Sequence, residues 1–172
     1  MTKIELAKKI FQVSHIKGEF KLRSGIVSNE YFDKYQFESI PELLNEIAKH
    51  LVKMIDFDYD LLAGLEVGGI PIATALGLKT NKPLVFVRKK AKEYGTAKLV
   101  EGQDIKNKNL LIVEDVVTSG GQIISSVEDL RKQGAIIKKA ICVIDREQGG
   151  KEALKKHFIE LLPLFTMTEL KS

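Results

Sequence analysis

Residues 110–121 read LLIVEDVVTSGG, and this stretch decides which fold the chain can adopt. Its four apolar residues at 110–113 are typical of a buried strand, and two acids, Glu114 and Asp115, follow at once. Two hydroxyl side chains come next, and Gly120 and Gly121 end the loop before a helix predicted to reach about residue 133. A glycine-rich turn that opens a helix presents unpaired backbone N–H groups and the positive end of the helix dipole. The loop is therefore predicted to bind a phosphate group.

The two acids must bind a part of the ligand other than the phosphate, because carboxylates accept hydrogen bonds and repel a phosphate. A ribose diol offers two hydroxyl donors at a suitable distance from a 5′-phosphate, which indicates a sugar phosphate. The competing interpretation is that the acids and hydroxyl residues cap the helix, although a cap needs one such residue. This stretch contains neither Gly-Lys-Ser/Thr nor Gly-x-Gly-x-x-Gly, which argues against a Walker A loop and a dinucleotide fingerprint.

Short apolar runs alternate with helical patterns on both sides of this stretch. Strands are predicted at residues 61–63, 83–87, 110–113, 139–144 and 158–162, and helices at 41–54, 70–78, 121–133 and 149–157. This alternation, with nearly continuous apolar strands, predicts an α/β fold with a central, mainly parallel sheet flanked by helices. A chain of 172 residues has the size of one domain, so residues 1–172 are interpreted as a single domain.

Two segments stand apart from the alternation. Residues 4–15 have the apolar spacing of a helix, and residues 19–22 and 30–37 are predicted as two short strands around a turn at 23–25. Residues 88–102 have no apolar periodicity, and an irregular segment of this length in a compact domain is more often functional.

The net charge of +4 is concentrated in that irregular segment. Residues 88–98 contain five of the 27 basic residues and one of the 23 acidic ones, which leaves 22 of each in the rest of the chain. Because a nucleic-acid-binding surface spreads its cations over a face, this distribution argues against a nucleic-acid partner and suits a small, highly charged anion. A solvated lysine-rich loop is the alternative interpretation.

Cellular location is indicated by three simple features. The single cysteine, Cys142, cannot form an internal disulfide, and its apolar surroundings predict a buried strand thiol. The first residues show no signal-peptide pattern, and no apolar run approaches the ~20 residues that cross a bilayer. We therefore expect a cytoplasmic protein without a membrane partner.

Five blocks of the sequence resemble the type I phosphoribosyltransferases and, among them, the orotate phosphoribosyltransferases. The stretch at 110–121 is similar to the phosphoribosyl diphosphate signature of the whole family. The narrower resemblance comes from GEFKLRSG at 18–25, AGLEVGGIPIA at 63–73, VRKKAKEYG at 87–95 and IDREQGG at 144–150. It implies the type I phosphoribosyltransferase fold, with a small hood over about residues 1–40 and a flexible catalytic loop over about residues 88–102.

The resemblance also implies a reaction, in which phosphoribosyl diphosphate and orotate give orotidine 5′-monophosphate and pyrophosphate in pyrimidine biosynthesis. The residues it places against phosphoribosyl diphosphate are Arg23, Arg88, Lys89, Lys92, Tyr94, Glu114, Asp115, Val116, Val117, Thr118, Ser119, Gly120, Gly121 and Gln122. Those it places against orotate are Tyr31, Phe32, Thr118 and Arg146, and those it makes catalytic are Arg88, Lys92 and Asp115.

A cofactor and a partner are implied by the same resemblance. Mg²⁺ would be carried by substrate oxygens and water, with no direct protein ligand. The partner would be a second copy of the chain, in a homodimer whose basic loop reaches the neighbouring active site. This chain departs from the family at Tyr94, where many members have histidine, and at Arg23, where many have lysine. A phosphoribosyltransferase for a purine or uracil, and a non-catalytic sensor of phosphoribosyl diphosphate, remain alternatives.

Overall fold

The structure, a computed structural model, describes residues 1–21, 25, 27–90 and 99–172. The predictions made for Arg23, Lys92 and Tyr94 lie outside the described residues. The elements, in chain order, are α1 (Lys3–Ser14), β1 (His15–Lys21), β2 (Val27–Phe32), α2 (Lys34–Glu38), α3 (Pro41–Met54), β3 (Leu61–Leu65), α4 (Gly69–Thr80), β4 (Leu84–Val87), β5 (Val100–Gly102), β6 (Asn109–Val117), α5 (Gly121–Lys132), β7 (Ile136–Asp145), α6 (Gly150–Lys156), β8 (Glu160–Thr166) and α7 (Met167–Lys171).

In the described part of the chain, six strands form the central sheet in the spatial order β5-β4-β3-β6-β7-β8. Strands β3, β4, β6, β7 and β8 run parallel, and β5 lies antiparallel at one edge. The predicted α/β fold with a mainly parallel sheet is therefore confirmed. The carboxyl ends of the parallel strands share one edge of the sheet, called the carboxyl edge below, and the loops that leave these ends meet there.

Alternate residues of the central strands pack on opposite faces of the sheet, and each face has its own core. Leu111 and Val113 of β6 join a cluster with residues of α1, α3 and α4, whereas Leu110 and Ile112 join a cluster with residues of α5 and α6. Cys142 lies in the second cluster and is fully buried. The prediction of a buried strand thiol is therefore confirmed, and burial raises the pKa of this thiol.

Strand β6 is longer than the sequence pattern predicted, because it continues past Val113 to Val117. Its ladder to β7 pairs Glu114 with Cys142 and Val117 with Asp145. The two acids therefore belong to the end of the strand, where the sheet holds their backbone, and the loop proper begins after them. The last strand also ends later than predicted, at Thr166, and α7 follows it.

The N-terminal hood is built from α1, the antiparallel pair β1 and β2, and α2. The strand predicted at residues 30–37 is wrong beyond Phe32. Asp33 ends it and begins α2, since its side chain accepts a hydrogen bond from the Tyr35 N–H at 3.1 Å. Phe37 of α2 is fully buried in the core cluster that also contains α1, α3 and α4, so this short helix anchors the hood to the body of the protein.

Among the helices of the described ranges, none is both long enough and apolar enough to span a membrane.

Candidate active site

A cavity of about 730 Å³ opens at the carboxyl edge of the sheet and is called the edge cavity here. Its walls come from β2 and α2 of the hood and from the ends of β3, β4, β6 and β7 with the loops that follow them. The predicted site residues that line it are Tyr31, Phe32, Lys89, Glu114, Val116, Val117, Thr118, Ser119, Gly120, Gly121, Gln122 and Arg146. The lining residues that were not predicted are Lys34, Tyr35, Glu66, Val67 and Ile123.

The loop from Thr118 to Gly120 turns the chain from β6 into α5 at the wall of the edge cavity. Gly120 has a φ of 78°, a left-handed conformation that glycine adopts without strain. In the part of the chain that the structure describes, α5 has no side-chain cap, so the helix-capping interpretation of the sequence is not what the structure shows. The first N–H groups of α5 therefore stay available to an anion, in line with the predicted phosphate site.

The loop after β7 supports this turn by direct backbone contact. The Arg146 N–H donates a hydrogen bond to the Val117 carbonyl at 2.9 Å. A Cβ added at Gly150 would lie 2.5 Å from the Thr118 carbonyl oxygen and 2.7 Å from Val117 Cγ1. The segment 145–150 therefore packs directly against the turn that is predicted to bind phosphate.

Arg146 stands where the edge cavity meets a second cavity of about 480 Å³, called the hood cavity. The lining residues that both cavities share are Tyr31, Phe32 and Arg146. The Nε of Arg146 is buried and has no hydrogen-bond partner among the described residues. An unpaired buried donor is costly, so an anionic ligand atom placed beside it would restore a favourable bond.

The two acids of β6 have different surroundings. Glu114 lines the edge cavity, and burial, with the neighbouring Asp115, raises its pKa well above the ordinary value. Asp115 is fully buried, and Lys34 Nζ lies 2.5 Å from its Oδ2. Burial alone would raise the pKa of Asp115, but hydrogen bonds with Glu114, Glu38 and Lys34 outweigh burial and lower it. Asp115 thus carries the negative charge of the pair, and its predicted contact with a ligand requires a movement of Lys34 or of Asp115 itself.

Glu38 completes this buried cluster from α2. Burial, together with the neighbouring Asp115, raises the pKa of Glu38 to about 9. At neutral pH Glu38 is therefore protonated and can donate a hydrogen bond to the Asp115 carboxylate. The positive charge of Lys34 and the negative charge of Asp115 then balance each other, as buried charges require.

Arg88 and Lys89, the first two basic residues after β4, differ in what they contact. Lys89 lines the edge cavity, and its backbone N–H donates to Glu66 Oε2 at 3.2 Å. Arg88 is not among the lining residues, and its Nε lies 3.4 Å from Glu101 Oε1. A catalytic role for Arg88, as predicted, requires its side chain to leave Glu101.

Sequence reasoning missed Lys34 because the segment after Phe32 was interpreted as a strand. Two signals were present in the sequence. Asp33 is a residue type that caps helices, and Lys34 and Glu38 have the i,i+4 spacing that places side chains on one helix face. Glu66 and Val67 lay within a block that carried the family resemblance, but no role was given to them.

The chain is similar to known phosphoribosyltransferases. A family model described as a phosphoribosyl transferase domain matches residues 35–163. The orotate phosphoribosyltransferase of Nocardioides sp. (strain ATCC BAA-499 / JS614) is 44% identical over 165 residues, with 96% of this chain and 92% of the relative covered. That of Methanocaldococcus jannaschii is 42% identical over 155 residues, covering 90% of this chain and 88% of the relative. Among solved structures, the orotate phosphoribosyltransferase of Mycobacterium tuberculosis H37Rv in complex with Fe(III) dicitrate has a TM-score of 0.89 at 26% identity and covers 99% of both chains.

Proposed function

The chain belongs to the phosphoribosyltransferase family and, within it, to the orotate phosphoribosyltransferases, and from this premise we propose that the edge cavity is its active site. The enzyme transfers the 5-phosphoribosyl group of phosphoribosyl diphosphate to orotate and releases pyrophosphate. The product is orotidine 5′-monophosphate, a precursor of UMP in pyrimidine biosynthesis. We assign the reaction to the cytoplasm, because the lone thiol of Cys142 is free and buried, as is usual in reducing compartments.

One observation carries this proposal, namely that the parts required by both substrates converge on one cavity. The turn at Thr118–Gly121 offers backbone N–H groups to the 5′-phosphate, and Glu114 lies beside it for the ribose hydroxyls. Arg146 brings a buried donor without a partner in the described structure, which suits the carboxylate of orotate. Tyr31 and Phe32 supply the apolar walls that a planar pyrimidine needs.

The strand order indicates how the two substrates are oriented along the carboxyl edge. Lys89 follows β4 on one side of the phosphate-binding turn, and Arg146 follows β7 on the other. A diphosphate therefore fits the side of β3 and β4, and the base fits the side of β7, next to the hood. The reacting C1 of the ribose then lies between them, above the end of β6.

The chemistry of the transfer needs this arrangement of charges. As the diphosphate leaves C1 and a ring nitrogen of orotate attacks, positive charge develops on the sugar and negative charge on the leaving group. Lys89, and the predicted contacts of Arg88 and Lys92, would stabilise the leaving group, each charge-assisted hydrogen bond contributing about 1.5–3 kcal/mol. Closure of the basic loop would also exclude water, which otherwise hydrolyses the activated sugar.

The donor set of the edge cavity fits a magnesium ion that the substrate carries. Within the described residues, no three or more His, Cys, Asp or Glu side chains form a group that could hold a metal. Asp115 is already paired with Lys34, and the pKa of Glu114 is raised by burial, so we expect phosphate oxygens and water to hold the ion. Bound there, Mg²⁺ would offset negative charge on the diphosphate.

Two alternatives are less well supported by the cavity. The first is a phosphoribosyltransferase for a purine or uracil, but neither kind of base has a carboxylate that could pair with the buried Nε of Arg146. A sensor that only binds phosphoribosyl diphosphate needs neither this arginine nor the apolar walls at Tyr31 and Phe32.

We expect the purified protein to consume orotate when phosphoribosyl diphosphate and Mg²⁺ are present, as followed by the loss of orotate absorbance. Reactions that lack phosphoribosyl diphosphate serve as the blank, and uracil, hypoxanthine and xanthine are tested in parallel. Turnover of one of these bases but not of orotate would refute the assignment. Tight binding of phosphoribosyl diphosphate without turnover of any base would instead identify a sensor.

We further propose a homodimer in which the basic loop of one subunit completes the active site of the other. The excess positive charge of the chain lies at residues 88–98, where a leaving pyrophosphate requires it, and loops that serve a neighbouring site are implied by the family resemblance. Subunits that carry Lys92→Ala and subunits that carry Arg146→Ala therefore lack different halves of a shared site.

Mixing these two variants and allowing subunits to exchange is expected to restore about a quarter of the wild-type activity, because half of the dimers are mixed and each has one intact site. Each variant mixed with itself is the control and should stay inactive. Exchange is verified with two distinguishable tags. Complete exchange without recovered activity would show that each loop serves its own subunit.

A further inference from the structure

The short helix α2 brings two side chains to the buried acid of β6. Lys34 and Glu38 are four residues apart and share one face of the helix, and both contact Asp115. The helix is fixed at both ends, by the Asp33 cap and by the buried ring of Phe37. Lys34 is therefore held in place by tertiary structure and is not a freely moving surface lysine.

Lys34 also faces the space that a ligand would occupy. It lines the edge cavity, and its side chain is 33% exposed. Its Nζ lies 5.2 Å from the centre of the Tyr35 ring, a cation–π contact that orients the ammonium. An ammonium group has three donors, and one bond to Asp115 leaves two for other acceptors.

Gly68 makes this arrangement possible at the boundary between β3 and β6. A Cβ at this position would overlap with the Asp115 carboxylate, so Asp115 occupies the space where a side chain would otherwise be. Because position 68 carries no side chain, positive charge at this boundary comes from α2. The wall also contains the carboxyl group of Glu66 and lies over the negative charge of Asp115, so a polyanionic ligand needs a cation here.

We propose that Lys34 is a further substrate-binding residue, which contacts the diphosphate of phosphoribosyl diphosphate while it stays paired with Asp115. This inference rests on the proposed function of the edge cavity. Its location supports the diphosphate as the ligand, since the boundary between β3 and β6 lies between Lys89 and the phosphate-binding turn. The 5′-phosphate is already served by backbone donors of that turn.

The test compares two ligands that share the ribose and the 5′-phosphate and differ in the diphosphate. Calorimetry in the presence of Mg²⁺ measures the affinities of phosphoribosyl diphosphate and ribose 5-phosphate. We expect Lys34→Met to lower the affinity for phosphoribosyl diphosphate by about 10- to 100-fold and the affinity for ribose 5-phosphate by much less. Lys34→Arg, which keeps the charge, should recover part of the loss, and KM for orotate should stay close to the wild-type value.

Lys139→Met is the matched control. Lys139 also has an ion pair of 2.5 Å, with Glu160, a ring contact, with Phe57, and a side chain that is 31% exposed, but it is not a lining residue of the edge cavity. Its replacement should leave both affinities unchanged. If Lys34→Met unfolds, Asp115→Asn is compared with the double variant Lys34→Met/Asp115→Asn, in which no charge is left unpaired.

The ratio of the two affinities decides the outcome. A fall in the preference for phosphoribosyl diphosphate over ribose 5-phosphate supports a direct contact with the diphosphate. An unchanged ratio overturns the inference, because Lys34 would then act only through Asp115 or the stability of α2. Neither ligand contains a base, so failure of orotate turnover would leave this test intact. Failure of the wild-type protein to bind phosphoribosyl diphosphate would refute the proposed function itself.

Discussion

Replacement of Arg146 by alanine is expected to lower kcat/KM for orotate by about 10²-fold or more, because charge-assisted hydrogen bonds of about 1.5–3 kcal/mol each are lost. The buried Nε, which has no partner in the described structure, indicates that this side chain is positioned for a ligand. The backbone N–H of residue 146 keeps its bond to the Val117 carbonyl in the variant, so the phosphate-binding turn should be undisturbed. Steady-state kinetics with each substrate varied in turn measures the effect.

Arg146→Lys is the control that separates charge from geometry. Lysine keeps the positive charge but lacks the planar fork that binds a carboxylate through two parallel bonds, so an intermediate loss is expected. The affinity for phosphoribosyl diphosphate, measured by calorimetry, should remain close to the wild-type value in both variants. An equal loss of affinity for the two substrates would contradict a specific role of Arg146 at orotate.

The second large effect is expected from Gly150→Ala. The added Cβ would lie 2.5 Å from the Thr118 carbonyl oxygen, so the phosphate-binding turn must shift to make room. Overpacking of this kind costs about 1–3 kcal/mol of folding stability, and a displaced turn lowers kcat/KM for phosphoribosyl diphosphate by about 10²-fold. Urea unfolding and steady-state kinetics on the same preparation separate the two contributions.

The neighbouring glycine provides a matched control for this change. Gly149 has a φ of 83°, and a Cβ built there meets no described atom within 4 Å. Asparagine tolerates this backbone conformation and is a favourable residue at a helix start, so Gly149→Asn should keep nearly full activity. Wild-type affinity for phosphoribosyl diphosphate in Gly150→Ala would show that contact between the two loops does not position the turn.

The part of the site that local sequence patterns predicted without the family resemblance is the part built from one continuous segment. The strand, turn and helix around residues 110–133 follow from apolar periodicity and from glycines at the turn, and the structure places Thr118–Gly121 in the edge cavity. Lys34 was missed because a strand and a short helix fit its local pattern equally well. Burial of Phe37 and the contact with Asp115 decide for the helix, and both come from residues distant in the chain.

By itself, the sequence determined the α/β class, the parallel sheet and the glycine turn that is predicted to bind phosphate, because hydrophobic periodicity and turn chemistry act over a few neighbouring residues. Only the tertiary structure decided how the surroundings of Glu114 and Asp115 differ. Glu114 faces the edge cavity, whereas Asp115 pairs with Lys34 over the bare backbone of Gly68. It also left Arg146 with a buried donor between two cavities. These outcomes depend on packing between segments far apart in the chain, where burial and opposite charge set the protonation and position of each side chain.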